Sequence, residues 1–207
     1  MIITVAAHKG GVGKSTTAFH LAAYWGFKGK SVILIDGDEN RSILKWQERS
    51  EIEPIFTAIA PHQQASYFLS ASEKPDLIIV DTQARPAPDD LKDLVASTSL
   101  LVVPSTPDAT SLDALAEFLG DLQLLPSVLY KVLLTRISPP PNTDGKDAQT
   151  YLEKEGVPTF SKGIREYKAF QKAALTGVPV CKVRGDRNAK LGWNDYCEIA
   201  KEIEHYV

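Results

Sequence analysis

A chain of 207 residues with 43% hydrophobic and 24% charged residues suits a globular protein and is long enough to bury one α/β core. No apolar run approaches the roughly 20 residues needed to cross a bilayer, and the first residues enter a strand pattern with no charged leader, so a cytoplasmic protein is expected. The net charge of −3 argues against a nucleic-acid partner for the chain as a whole, and Cys181 and Cys197 lack metal-ligand spacing.

In chain order, the apolar run 2–7 reads as a strand that feeds the glycine-rich segment His8-Lys9-Gly10-Gly11-Val12-Gly13-Lys14-Ser15-Thr16. A triphosphate needs several backbone N–H donors converging on it. Side chains would block that approach, so glycines at 10, 11 and 13 let the main chain close in. Lys14 neutralises phosphate charge, Ser15 offers its hydroxyl to Mg²⁺, and the helix expected over 15–28 points its positive end at the same anion. The strict phosphate-loop pattern has glycine where His8 stands, and a second lysine, Lys9, precedes the first glycine.

Gly29 ends the first helix, and a strand over 31–35 leads to Asp36-Gly37-Asp38-Glu39-Asn40. Carboxylates at i and i+2 of an extended segment share a side, so one of Asp36 and Asp38 can hold a Mg²⁺-bound water while the other orients the attacking water. The same residues would also make an ordinary acidic turn. A helix over 42–50, a strand over 54–59 and a helix over 62–72 follow. The continuous apolar strand 76–80 then ends in Asp81, placed to reach Mg²⁺ through water, with Thr82 and Gln83 as candidate γ-phosphate sensors. An Asp at a strand end is also a common turn starter. Helices over 88–97 and 109–124 alternate with strands over 100–103 and 129–134, and Ser138-Pro139-Pro140-Pro141-Asn142 forms a stiff connection before another helix. The alternation predicts a single-domain α/β phosphate-loop NTPase over 1–207, with a mostly parallel twisted sheet flanked by helices on both faces.

The charge is uneven. Between residues 161 and 190, eight basic side chains face two acidic ones, a local balance of +6 that leaves −9 for the rest. If 164–175 is a helix, Arg165, Lys168 and Lys172 fall within an arc of about 60° beside an apolar face of Ile164, Tyr167, Phe170 and Ala174. Lys182, Arg184 and Arg187 extend that stripe through a glycine-containing loop. Such a stripe is either a DNA-binding surface or a solvated helix face.

The chain resembles the ParA/MinD family of deviant Walker-A ATPases, and most of all short plasmid-type ParA partition proteins. The likeness rests on K-G-G-V-G-K-S-T at 9–16, D-G-D-E-N at 36–40, D-L-I-I-V-D at 76–81, V-V-P-S-T-P-D at 102–108, L-L-T-R at 133–136 and I-R-E-Y-K-A-F at 164–170. It implies that Lys9 crosses an ATP-sandwich homodimer to the partner's phosphates, that Lys14 is the phosphate lysine in cis, that Ser15 is the magnesium ligand and that Asp38 positions water. The nucleotide would lie along 9–16 with Arg136 and Thr135 beside the adenine, and the catalytic set would be Asp38, Lys9 and Lys14. The resemblance further implies weak ATP hydrolysis, non-specific DNA binding by the dimer, nucleoid association and a ParB-like centromere or cargo adaptor. Glu39-Asn40 stands where the family commonly has Pro-Gln. No helix-turn-helix precedes the first strand, so operator-specific autoregulation is not expected. Two alternatives use the same loop: an ATP-dependent metabolic enzyme, and a MinD-like positioning ATPase whose C-terminal helix binds membrane. The segment 198–207, with three glutamates and one lysine, would be repelled by anionic lipid.

Overall fold

The structure is a computed structural model that describes every residue except Ser72, Pro126 and Val207. Ser72 closes the helix expected over 62–72, and Val207 ends the acidic C-terminal segment; both positions lie outside the described residues. Six strands, β1 (Ile2–Val5), β2 (Val32–Asp36), β3 (Thr57–Ile59), β4 (Leu77–Asp81), β5 (Leu100–Ser105) and β6 (Tyr130–Leu134), form one sheet in the order β3-β2-β4-β1-β5-β6. Every pairing is parallel, as expected for strands joined by helical crossovers and buried on both faces.

Helices α1 (Lys14–Phe27), α2 (Ser42–Arg49), α3 (Gln64–Ser70), α4 (Pro88–Ser97), α5 (Ala109–Gln123), α6 (Asp144–Lys154), α7 (Lys168–Thr176) and α8 (Ala189–Ile203) complete the fold. One core packs α1, α2 and α8 against the sheet around Phe19, Leu21, Trp25, Ile43, Tyr196 and Ile199. A second core, around Leu91, Phe118, Leu122 and Leu152, joins α4, α5 and α6 to β5 and β6.

Three segments depart from the sequence reading. The strand expected over 54–59 shrinks to Thr57–Ile59, and the helix over 62–72 becomes a 3-10 turn at Pro61–Gln63 followed by the short α3. The third departure corrects the basic stripe: the helix expected over 164–175 begins only at Lys168. Residues 164–166 run extended beside the end of β6. There the Ile164 N–H donates to Leu134 O, the Ile137 N–H to Ile164 O and the Glu166 N–H to Ile137 O. A backbone whose donors and acceptors are spent on a neighbouring strand has none left for a helical turn, so Arg165 does not share a helix face with Lys168 and Lys172.

Candidate functional site

The C-terminal ends of β1, β2 and β4 meet at one edge, where ligand sites of parallel sheets lie. Between β1 and α1 the chain turns back on itself with Gly11 at φ 76° and Gly13 at φ 90°, a backbone that only glycine adopts without strain. The loop is braced from β6. Thr135 is buried and its hydroxyl donates to Val12 O at 2.7 Å, while the Arg136 guanidinium reaches Gly11 O at 3.4 Å and Glu166 Oε1 at 3.0 Å. Thr135 and Arg136 thus stand beside the loop and line a 640 Å³ cavity together with Gly13, Thr16, Tyr167 and Phe170.

The loop's two lysines have different surroundings. Lys14 is 5% exposed, and its ammonium donates to Lys9 O at 3.2 Å. Burial lowers its pKa, opposed by the charges of Asp81 and Asp38. Lys9 is held by the start of α5, with Nζ at 3.1 Å from Asp108 Oδ1 and 2.7 Å from both Thr110 Oγ1 and Ser111 Oγ. Asp108 also caps α5 through the Ser111 N–H, and hydrogen bonds from Thr106 and Thr110 hold its carboxyl far below the usual range. His8, at the position of the missing glycine, is almost wholly buried edge-on to Phe118, with Nε2 at 3.2 Å from Asp121. Burial lowers its pKa.

Asp36 and Asp81 stand side by side in register at the ends of β2 and β4. Both are fully buried, and Asp36 Oδ1 and both oxygens of Asp81 have no hydrogen-bond partner in the protein. The other oxygen of Asp36 accepts from the Ile43 and Leu44 N–H groups at 3.1 Å, so this carboxylate caps α2 as well as facing the site. Burial pushes Asp81 up to about 7, with Asp36 adding to the rise and Ser15 and Lys14 opposing it; burial raises Asp36 too. Orphaned buried carboxylate oxygens beside a serine hydroxyl are the oxygen chemistry that Mg²⁺ takes when phosphates and water complete its shell. Among the described residues no cluster of three or more His, Cys, Asp or Glu side chains is arranged to hold a metal ion.

Gly37 lets the D-G-D turn fold against β4. Its N–H donates to Asp81 O at 2.8 Å, and a Cβ there would lie 2.5 Å from that same oxygen. Asp38 follows, half-exposed, accepting from the Asn40 N–H at 2.8 Å. Thr82, expected as a phosphate sensor, is buried and its hydroxyl donates to Val5 O at 3.1 Å, so it anchors the strand end and leaves Gln83 nearer the surface.

The basic segment divides into spent and unspent cations. Arg165 forms a forked pair with Asp195 at 3.0 and 2.5 Å, and Lys172 pairs with Asp186 at 2.8 Å. Among the described residues, Lys168, Lys182, Arg184, Arg187 and Lys190 have no carboxylate within ion-pair distance, and all five are exposed. The 3-10 turn Val180–Lys182 is tied to the nucleotide loop by a residue the sequence reading passed over. His20 is fully buried, hydrogen-bonding Thr16 O through Nδ1 at 2.7 Å and accepting from the Val180 N–H at Nε2 at 3.1 Å. It stacks on Tyr196, whose hydroxyl meets that of Thr17 at 3.2 Å. A lone histidine inside a helix that is buried nearly all round carries no sequence signal for such a bridge.

α8 buries Tyr196, Ile199, Ala200 and Ile203 against the sheet and α1, which uses up the apolar face a membrane-binding helix needs. No described helix is long and apolar enough to cross a bilayer.

Comparison with known proteins gives a consistent picture. Residues 3–180 match the CobQ/CobB/MinD/ParA nucleotide binding domain. The chain is 35% identical to the maintenance of carboxysome distribution protein A of Gloeobacter kilaueensis, over 98% of this chain and 94% of that protein. A putative plasmid partition protein of Borrelia burgdorferi bound to AMPPNP superposes with a TM-score of 0.78 at 20% identity, covering 100% of this chain and 99% of the other. The MinD cell division protein of Aquifex aeolicus superposes with a TM-score of 0.75 at 17% identity, covering 99% and 97%.

Proposed function

The chain belongs to the CobQ/CobB/MinD/ParA nucleotide-binding domain family, and from that premise we propose that it is an ATP-hydrolysing switch that places a cargo by cycling on and off DNA. The observation that carries the reading is the meeting, at one sheet edge, of a two-lysine glycine loop with three aspartates from two strand ends. In this reading Lys14 and the loop amides bind the phosphates, and Asp38 orients the attacking water. Mg²⁺ would be held by Ser15 and, through water, by Asp36 and Asp81, where it shields phosphate charge. Lys9 leaves its seat on α5 and serves the nucleotide of a second subunit.

Dimerisation doubles the exposed cations of 168–190 on one particle, raising DNA affinity without new contacts within either subunit. Among the unspent cations, Lys168, Lys182, Arg184 and Arg187 carry that contact, while Arg165 and Lys172 shape the surface from within their ion pairs. Hydrolysis, accelerated by an adaptor bound to the cargo, separates the subunits and releases DNA. The likeness to a plasmid partition protein supports a replicon as cargo. The likeness to a carboxysome distribution protein supports the same cycle carrying a protein assembly.

Sedimentation and gel shift of plasmid DNA at about 50 mM salt test this cycle together. With ATP and Mg²⁺ the chain is expected to sediment as a dimer and shift DNA; with ADP it does neither. A monomer that leaves DNA unshifted under ATP defeats the reading, and ATP turnover that depends on a small co-substrate and ignores DNA points to a metabolic enzyme.

A further inference from the structure

On the sheet face that carries α3 and α4, a groove of about 570 Å³ separates the two helices, and no helix among the described residues fills it. Its floor is aliphatic: Ile2 pairs with Ile78, and Val80 with Ile35, all on one face of the sheet. Ile78 and Val80 lie in a central strand, yet they are only half-buried, whereas Leu77 and Ile79 on the opposite face are 2% and 0% exposed. Strands at the centre of a parallel sheet normally have helices over both faces, so this strip is a place where one helix is missing.

The wall formed by α4 offers Asp90, Asp93, Leu94 and Ser97, the i, i+3, i+4, i+7 set of a single helix face. The carboxylates on its wall are the exposed Asp90 and Asp93, while Asp81, buried and on the strand face of Leu77 and Ile79, only meets its end; no lysine, arginine or histidine lines the groove among the described residues. At its far end the groove reaches Gly37, Asp81, Thr82 and Gln83, the turn beside the proposed phosphate site. An apolar floor with a wholly acidic rim selects an occupant with apolar side chains on one side and positive charge on the other.

We propose that this groove docks a cationic amphipathic segment of a partner protein, and that its occupant presses on the Asp81–Gln83 turn from the side away from the nucleotide. The proposal names the docking surface for the adaptor of the cycle above and to that extent rests on that reading. The acidic rim excludes an anionic lipid surface, and a DNA backbone is excluded for the same reason.

The test uses fluorescence anisotropy with two labelled helical peptides of about 18 residues that share one leucine pattern, one carrying arginine and the other glutamate on the polar side. The nucleotide-free chain is expected to bind the Leu/Arg peptide at least about tenfold more tightly than the Leu/Glu peptide, with steep salt dependence. Asp90→Asn/Asp93→Asn, two exposed positions that leave the core untouched, should remove most of that difference, and Leu94→Arg should abolish binding. In the wild-type chain the bound Leu/Arg peptide should also change ATP turnover. Equal binding of the two peptides, or unchanged affinity in the double Asn variant, overturns the proposal. So does a concentration-dependent dimer of the nucleotide-free chain that Leu94→Arg disperses, which would make a second copy the occupant. Because binding is read without nucleotide, a chain that fails to dimerise on ATP or to bind DNA still gives a clear answer about the groove.

Discussion

The nucleotide end of the sheet and the basic segment 161–190 are both built on charge, but in opposite dielectric regimes. At the sheet edge Lys14, Asp36 and Asp81 are buried, and each charged group is out of water beside a short list of others. In the basic segment the cations stand in solvent, and Arg165 and Lys172 reach from there to carboxylates that are only 10% and 11% exposed. Burial makes one residue decisive, because losing a partner leaves an uncompensated charge, whereas exposure spreads a function over many weak and screened contributions. The left-handed glycines, Thr135 and the Asp36 cap therefore preset the geometry at the sheet edge, while the proposed DNA contact would need only an approximate density of positive charge.

That contrast is open to direct challenge. The largest effect belongs to Lys14→Ala, which should weaken ATP binding by roughly a hundredfold or more in calorimetry, since a buried charge-assisted contact to phosphate disappears. A loss of only a few-fold would place the nucleotide site in the graded regime. Lys9→Ala should keep nucleotide affinity within a few-fold and remove the ATP-dependent dimer seen by sedimentation, separating the two lysines by role.

Next comes acid stability through His20. Burial depresses its folded pKa to about 4, so between about 6.5 and 4 the unfolded chain takes up a proton that the folded chain refuses. Its contribution is fully present above about pH 6.5 and falls by about 3 kcal/mol as pH drops to 4. Urea titrations across that window read it, and a His20→Gln variant should show a flatter slope. Equal slopes would mean that the bridge from Thr16 to Val180 does not titrate.

The smallest effects lie in the basic segment. Arg184→Ala or Arg187→Ala should each weaken DNA binding several-fold and lower the salt slope by about 1, provided each cation sits at a phosphate. Lys172→Ala should cost less, because its charge is already matched by Asp186. If Lys172 proves the strongest, the division into spent and unspent cations is wrong.

Much of the nucleotide end was legible because it is local. Glycine spacing, an adjacent Lys-Ser pair and aspartates closing apolar runs lie within a few residues of one another, and strand ends bring them together in any parallel sheet. The strands 100–103 and 129–134 and the helices 88–97 and 109–124 were readable from period and length alone. The basic stripe was misread because 164–166 has a helical apolar pattern but gives its backbone hydrogen bonds to Leu134 and Ile137, about 30 positions earlier in the sequence.

The amino-acid sequence by itself thus determined the fold class, the glycine-rich turn between the first strand and helix, the acidic strand ends and the excess of positive charge near the C-terminal third. Tertiary structure alone decided which charges remain available: Lys9 seated on the cap of α5, Asp36 divided between α2 and the site, Arg165 and Lys172 neutralised, and His20 joining the loop to the basic turn. The physical reason is distance. Propensity and periodicity act over a helical turn or a strand, while the partner that spends or spares a charge arrives from far along the chain and is set by packing.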